Sequence, residues 1–95
     1  MNKLNEFFFR VTIETHDHTG DLLAVYIRIR KGKVAKTVEH ADGNLMADYD
    51  RKGKLLGIEL IGPCKASVLD RIADQPIAKR FVRSVVPRSM IRKAA

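Results

Sequence analysis

The stretch NLMADYDRKGKLLGIELIG, residues 44–62, has the pattern of a β-hairpin and decides the fold. Leu45, Ala47 and Tyr49 alternate with other side chains, which is the period of a strand that buries one face. The segment DRKG, residues 50–53, favours a type I turn followed by a left-handed glycine, because a Cβ is penalised at positive φ. The return strand carries three alternate aliphatic residues, Leu56, Ile58 and Leu60.

Three segments that precede the hairpin show the same alternation, namely residues 6–14, 22–30 and 33–40. The third is the least apolar of the five predicted strands, so it is expected to lie at an edge of the sheet. Every connection is short, and strands that are neighbours in sequence are then usually neighbours in space. The pattern therefore predicts a five-stranded antiparallel meander over residues 6–61.

The hydrophobic period changes from two to about 3.6 in the C-terminal third, which predicts helices. A short first helix has an apolar side made of Val68, Leu69, Ile72 and Ala73. A second helix is expected to begin at Pro76 and to end before Pro87, because proline suits a first helical turn and cannot continue a helix. The predicted fold class is α+β, a single domain of residues 1–95 in which the meander is followed by two C-terminal helices within residues 65–95.

The second helix carries one broad apolar stripe. The stripe consists of Ile77, Ala78, Phe81, Val82, Val85 and Val86. Two helices provide little apolar cover for five strands, so we expect a homodimer that forms through this stripe or through an exposed strand edge. The interface residues expected on the stripe are Ile77, Phe81 and Val85.

Composition places the chain among soluble globular domains. It has 95 residues, of which 45% are hydrophobic and 31% charged. No apolar run approaches the roughly 20 residues of a membrane span, and the N-terminus lacks the pattern of a secretory signal. Cys64 is the only cysteine, so an intramolecular disulfide is excluded and a zinc site would lack a set of thiolates. A reducing, cytoplasmic location is expected.

Most of the net charge of +7 comes from the last third of the chain. Six cations follow Pro76, namely Lys79, Arg80, Arg83, Arg88, Arg92 and Lys93. One interpretation makes them the solvated side of an amphipathic helix. The other makes them a nucleic-acid-binding segment that contacts backbone phosphates with strong salt dependence and little sequence specificity. A helix lying on a membrane surface is less favoured, because the stripe has no Trp or Tyr at its margins.

Two other polar groups have a chemical and a structural interpretation. His16 and His18, with Asp21 or His40, could hold a metal ion, but a polar connection between strands is the simpler interpretation. Asp48, Asp50 and Glu59 form an acidic set that could do acid–base work or hold a divalent ion. We instead expect Asp50 in the turn, and Asp48 and Glu59 opposite Arg or Lys of neighbouring strands.

No nucleophile is recognisable in the sequence. Cys64 has no histidine near it in sequence that would lower its pKa, and Ser67 lacks a triad signature and suits the start of a helix. The sequence therefore predicts no enzyme, no cofactor, no metal site and no catalytic residue.

Several segments together resemble the domain of unknown function 2283 family. They are DLLAVYIR at residues 21–28, VAKTVE at 34–39, DYD at 48–50, Gly53, GIE at 57–59, and Ala66 with Ser67. The resemblance covers roughly residues 9–68. It implies a small curved antiparallel sheet followed by a helix, and no established catalytic residues. The segment at residues 62–65 and the basic extension at residues 76–95 lie outside the family pattern.

The resemblance also implies a function. Some family members are thought to be encoded beside a small ribonuclease-like toxin and to act as its antitoxin. We therefore expect a non-enzymatic protein-binding module, antitoxin-like or an assembly partner, with a protein as its partner or a second copy of itself. Nucleic-acid binding through the basic C-terminal helix is the alternative.

Overall fold

The computed structural model describes residues 7–73 and 75–92. Five strands form one antiparallel sheet: β1 (Arg10–Thr15), β2 (Leu22–Arg28), β3 (Lys36–His40), β4 (Leu45–Tyr49) and β5 (Leu55–Leu60). A short strand β6 (Cys64–Lys65), helix α1 (Ala66–Ile72), helix α2 (Pro76–Val85) and a second short strand β7 (Ile91–Arg92) follow. The predicted α+β class, with five antiparallel strands and two C-terminal helices, is confirmed.

The strands do not follow one another in the order of a meander, so that part of the prediction is wrong. The order across the sheet is β1-β2-β5-β4-β3, and β2 pairs with β5. Residues 29–35 carry the chain from β2 to the far edge. Three strand spacings of about 4.8 Å make roughly 14 Å, and seven residues can span roughly 23 Å.

Burial explains this order. The central strand β5 is buried at every residue except the half-buried Glu59, whereas β3 has no buried residue. A central position removes more apolar surface from water than an edge position, so the most aliphatic strand occupies the centre. The expectation that the third strand lies at an edge is confirmed.

The first and third strands are shorter than predicted. β1 begins at Arg10, and β3 begins at Lys36 rather than at residue 33. Before β1, the Phe8 amide still donates to the Ile29 carbonyl at 2.7 Å, while Phe7 and Phe9 pack against the core. The segment ahead of β1 is therefore fixed to the sheet outside the regular ladder.

The turn of the predicted hairpin is confirmed. Gly53 has φ of +83°, and its amide donates to the Asp50 carbonyl at 3.0 Å. The Asp50 amide in turn donates to the Lys54 carbonyl at 2.9 Å. The β4–β5 register shifts next to the turn, between Asp48 and Tyr49, as expected of a bulge.

The two helices cover one face of the sheet. Pro76 is the first residue of α2, which ends at Val85, so the predicted bounds are confirmed. Ala78 and Val82 of α2 are buried in the core together with sheet residues such as Ile27 and Ile58. None of the helices in the described ranges is long and apolar enough to cross a membrane.

After α2 the chain returns to the N-terminal end of α1, where β6 lies. A 3₁₀ turn at Arg88–Met90 buries Met90, and β7 pairs in parallel with β6. Cys64 lies opposite Ile91 in this pairing. The described part of the C-terminal segment is therefore docked on the domain.

Candidate binding surface on the open sheet face

The face of the sheet opposite the helices presents polar side chains in register. One row crosses all five strands in the order Arg10, Arg28, Gly57, Asp48 and Thr37. The next row is Thr12, Tyr26, Glu59, Met46 and Glu39. The rows show that Asp48 lies opposite Gly57 and Thr37, and Glu59 opposite Tyr26 and Met46. The predicted pairing of these carboxylates with Arg or Lys directly across from them is wrong.

A hydrogen-bonded network spans three strands of this face. The Tyr26 hydroxyl donates to Asp48 Oδ2 at 3.0 Å, and the Thr37 hydroxyl donates to Asp48 Oδ1 at 2.7 Å. Gly57 lies beneath the Tyr26 ring, where a Cβ would clash with the hydroxyl. Partial burial is the main cause of a raised Tyr26 pKa, and the Arg28 guanidinium opposes it. Both oxygens of the Asp48 carboxylate are thus occupied within the sheet.

Cations gather at one end of the sheet. The antiparallel topology brings the start of β1, the end of β2, the 29–35 connection, the start of β3 and the β4–β5 turn to the same end. Nine cations of the described residues lie there, namely Arg10, Arg28, Arg30, Lys31, Lys33, Lys36, Arg51, Lys52 and Lys54. Asp48 and Asp50 are the carboxylates among the described residues of the same region. We call this set of cations the basic end.

The opposite end of the sheet is acidic. It comprises the end of β1, the β1–β2 connection, the end of β3 and the turn that follows β3. Its carboxylates are Glu14, Asp17, Asp21, Glu39 and Asp42. These five residues, called the acidic end below, are all exposed, and the described segments that contain them hold no Lys or Arg. The strand ends and connections of the sheet therefore carry opposite charges at its two ends, while the 3₁₀ turn that begins at Arg88 lies beside Asp21.

Three depressions in the described part of the chain open at the basic end, and one of them runs along β3 as far as His40. The other two lie side by side. The first has a volume of about 380 Å³ and is lined by Phe8, Arg10, Thr12, Tyr26, Arg28, Lys31 and Gly32. The second has a volume of about 470 Å³ and is lined by residues 32–35 and by Asp50, Arg51, Lys52 and Lys54. Gly32 lines both, so the two depressions adjoin.

Asp50 contributes to the turn rather than to an open acidic site. Its Oδ1 accepts the backbone amides of Lys52 and Lys54, both at 2.9 Å. These hydrogen bonds stabilise the charged carboxylate and lower the pKa of Asp50, with that of the Lys54 amide the larger cause. The turn role expected of Asp50 is confirmed.

The predicted nucleic-acid-binding cations of the C-terminal segment do not share one environment. Arg83 forms a bidentate ion pair with Asp70, which joins α2 to α1. The Arg83 hydrogen bond lowers the pKa of Asp70, and Asp70 raises that of Arg83. Lys79 is half-buried and its charge also acts on Asp70, whereas Arg80, Arg88 and Arg92 are exposed. Lys93 lies outside the described residues.

The predicted interface residues are partly used within the chain. Ile77, Phe81 and Val85 are half-buried. The Phe81 ring packs on Phe9 with centroids 4.3 Å apart, and Val85 packs against the core. Only the exposed parts of these three side chains remain accessible to a partner.

The two histidines of the β1–β2 connection have a local backbone role. His16 Nδ1 accepts the amides of His18 at 3.2 Å and Thr19 at 3.3 Å, which fixes the turn. Residues 7–73 and 75–92 contain no group of three or more His, Cys, Asp or Glu side chains placed to hold a metal ion. Cys64 is buried, and burial raises the pKa of its thiol.

Sequence reasoning missed the two charged ends. Counted along the chain, residues 1–64 have ten Lys and Arg and nine Asp and Glu, which hides any asymmetry. The feature that could have predicted the basic end is the position of the cations relative to the ends of the strands. Cations stand at the start of β1 and β3 and after the ends of β2 and β4, and these places coincide once the strands are antiparallel.

These features define a small α+β domain with an open antiparallel sheet and charge-segregated ends. The model of a family described as protein of unknown function (DUF2283) matches residues 17–62. The resemblance inferred from the sequence is confirmed over this segment, which runs from the β1–β2 connection to the end of β5. No curated protein and no solved structure matches the chain.

Proposed function

We propose that this protein is a non-enzymatic binding module that engages a basic partner protein at edge strand β3 and the adjoining acidic end. The observation that carries the proposal is the position of β3. It is an edge strand with no buried residue, and it runs into the turn that holds Asp42. An edge strand offers unpaired backbone groups to a partner strand, and pairing of this kind supplies affinity through main-chain hydrogen bonds.

The negative charge of the acidic end determines which kind of partner protein this surface favours. Glu39 lies on β3 itself and Asp42 in the turn that follows it, while Asp17 and Asp21 lie at the same end of the sheet toward its other edge. Complementary potentials speed association and suppress wrong partners, so this end favours a protein with a basic surface. A ribonuclease-like toxin has such a surface, which supports an antitoxin-like role.

A non-enzymatic role is supported by what the polar side chains already do. Both oxygens of Asp48 accept hydroxyl hydrogen bonds, and Asp50 and Asp70 are engaged with the turn and with Arg83. Catalytic acid–base groups need a free carboxylate or imidazole within reach of a substrate proton. Cys64 is buried with a raised pKa, which disfavours the thiolate that a nucleophile requires.

The test is coexpression with the product of the neighbouring reading frame, followed by measurement of the complex by calorimetry at low salt. The triple variant Asp17→Asn, Asp21→Asn and Asp42→Asn is expected to bind at least about tenfold more weakly, because it removes three attractive charges. Asparagine suits position 42, whose φ is +56°, since it tolerates the left-handed region.

A control variant removes the same number of charges, of opposite sign, from the basic end: Lys33→Gln, Arg51→Gln and Lys52→Gln. This variant is expected to keep the affinity of the unmodified protein. Equal weakening by both triple variants, or the absence of any complex, would contradict the proposal. Protection of β3 amides from hydrogen exchange in the complex would locate the partner at the edge.

A homodimer is the second form of the same proposal. Ile13 is 56% exposed on the other edge strand, β1, and Leu23 on the neighbouring strand β2 is 44% exposed. These side chains favour a second copy at that edge, with the exposed parts of Ile77, Phe81 and Val85 as the other route. We also propose a reducing, cytoplasmic location, which the single buried thiol supports.

Nucleic-acid binding by the C-terminal segment stays the alternative. In the described part of that segment, the exposed Arg80, Arg88 and Arg92 are the residues that support it. Arg83 supports it less, because a phosphate would have to displace Asp70 from a bidentate ion pair.

A further inference from the structure

We propose that the basic end of the sheet is a binding site for the phosphodiester backbone of single-stranded nucleic acid, centred on the depression lined by Arg10, Arg28 and Lys31. The site is separate from the C-terminal cations and lies at the opposite end of the sheet from the acidic end that the proposed protein partner would contact. Failure of either proposal therefore leaves the other standing.

The depression is electrostatically unbalanced. Arg10 and Arg28 lie directly opposite each other in the β1–β2 pair, and Lys31 lines the same depression. Like charges directly opposite are destabilising in a sheet, and no carboxylate is among the described residues that line this depression. An anion bound between the two strands would remove that repulsion.

Two of the cations are held in place by an aromatic ring. The Arg10 guanidinium and the Lys31 ammonium each lie 5.0 Å from the centre of the Phe8 ring, a distance typical of cation–π contacts. The Phe8 backbone is anchored to the sheet, because its amide donates to the Ile29 carbonyl. Both cations are exposed, so they keep most of their hydrogen-bonding capacity for a ligand.

The third cation is positioned by backbone carbonyls. Arg28 Nε donates to the Arg30 carbonyl at 2.6 Å, and Arg28 Nη2 donates to the Gly32 carbonyl at 2.7 Å. Its Nη1 lies 3.4 Å from the Tyr26 hydroxyl, which itself donates to Asp48. A guanidinium that is held before binding loses less conformational entropy when a phosphate arrives.

The adjoining depression makes the ligand a chain rather than a single phosphate. It is lined by Lys33, Arg51, Lys52 and Lys54, and its carboxylate, Asp50, is turned to the backbone amides of the turn. Two adjoining basic depressions that share Gly32 suit successive phosphates of a flexible strand. The concave surface, built from β1, β2 and the adjoining connections, presents no helix to enter a duplex groove, which favours single-stranded over double-stranded nucleic acid.

Fluorescence anisotropy with a labelled 12-nucleotide uridine RNA tests the proposal. Four phosphate contacts predict that affinity falls about 50-fold between 50 and 200 mM salt. The variant Arg10→Ala with Lys31→Ala is expected to bind at least about tenfold more weakly. A plot of its log affinity against log salt concentration should be less steep by about 1.4, because two phosphate contacts to a single strand are lost.

The matched control, Lys65→Ala with Arg71→Ala, removes the same charge from exposed positions that belong to neither proposed nucleic-acid-binding segment. It is expected to stay within about twofold of the unmodified protein. Equal losses in the two double variants would overturn the assignment, because binding would then follow net charge alone. Circular dichroism and urea unfolding of both variants exclude misfolding as the cause of a loss.

Three competitors at equal charge identify the chemistry: polyglutamate, inorganic polyphosphate and a duplex DNA. Weak competition by all three supports the proposal. If polyglutamate competed as strongly as RNA, the assignment of a phosphate site would be overturned. Equally strong competition by polyphosphate would overturn the assignment to nucleic acid. Equally strong competition by duplex DNA would overturn the preference for a single strand.

Discussion

The Tyr26 hydroxyl lies 3.0 Å from Asp48 Oδ2, so a side-chain hydrogen bond joins β2 to β4 across the intervening strand β5. Gly57 is the residue of β5 that this contact passes over, and a Cβ there would clash with the phenol. We predict that Gly57→Ala lowers the free energy of unfolding by about 1–3 kcal/mol, because the ring must move. Urea unfolding measures this change.

A double-mutant cycle provides the control for that prediction. In a Tyr26→Ala background the added methyl group at position 57 meets no ring, so Gly57→Ala should cost less than in the unmodified protein. An equal cost in both backgrounds would mean that Tyr26 does not cause the destabilisation.

Stability is predicted to fall as the pH drops below about 4. Asp50 and Asp70 have pKa values below the ordinary 3.8 in the folded chain, through backbone amides and Arg83 respectively. The unfolded chain therefore binds more protons in this range, and stability that is fully present above the unfolded pKa is lost as pH falls through the folded pKa. The midpoints of urea unfolding, determined at several values between pH 2 and pH 7, measure this loss of stability.

The variants Asp50→Asn and Asp70→Asn serve as the controls for the acid effect. Each should lower stability at pH 7 and flatten the acid limb, since the group responsible can no longer titrate. A variant that keeps the full acid dependence would show that its carboxylate does not contribute to it.

Docking of the C-terminal segment is predicted to shield Cys64. Met90 is 5% exposed, and β7 lies alongside Cys64. Met90→Ala should cost about 2–3 kcal/mol and loosen this segment. The rate of Cys64 reaction with an aromatic disulfide reagent should then rise at least about tenfold. Ser89→Ala, at the exposed neighbour, should leave the rate unchanged, and equal rates in both variants would count against the docking.

Phe81 is predicted to contribute to the stability of the single chain. Its ring packs on Phe9, and because it is only half-buried we expect Phe81→Ala to cost about 2 kcal/mol, below the usual range for a core phenylalanine. Arg80→Ala, at the adjacent exposed position, should change stability by less than about 0.5 kcal/mol. Urea unfolding at low micromolar concentration compares the two variants.

The homodimer is tested on the unmodified protein. Light scattering at high micromolar concentration should give about twice the chain mass of 10.7 kDa. A stable monomer at that concentration would refute the homodimer. It would leave edge pairing with a different protein as the remaining form of the proposed function.

Local features of this fold were predictable because their causes are local. Gly53 closes the hairpin since the turn needs a positive φ, and Pro76 begins α2 since it lacks an amide that the first turn cannot use. The strand order was not predictable from short connections. Insertion of β4 and β5 between β2 and β3 depends on how much apolar surface the whole sheet buries, which no single connection specifies.

The candidate sites divide in the same way. The cation-rich segment after Pro76 was visible in the sequence, but its pairing of Arg83 with Asp70 depends on how α1 and α2 pack. The basic end was invisible, because Arg10, Lys31 and Lys52 are far apart in sequence. By itself the sequence determined the five strands of the main sheet, the turn at Gly53, the bounds of α2 and the family resemblance, since hydrophobic period and backbone preference act within a few residues. Only the tertiary structure decided where charge accumulates, since antiparallel pairing gathers the ends of distant strands at one place.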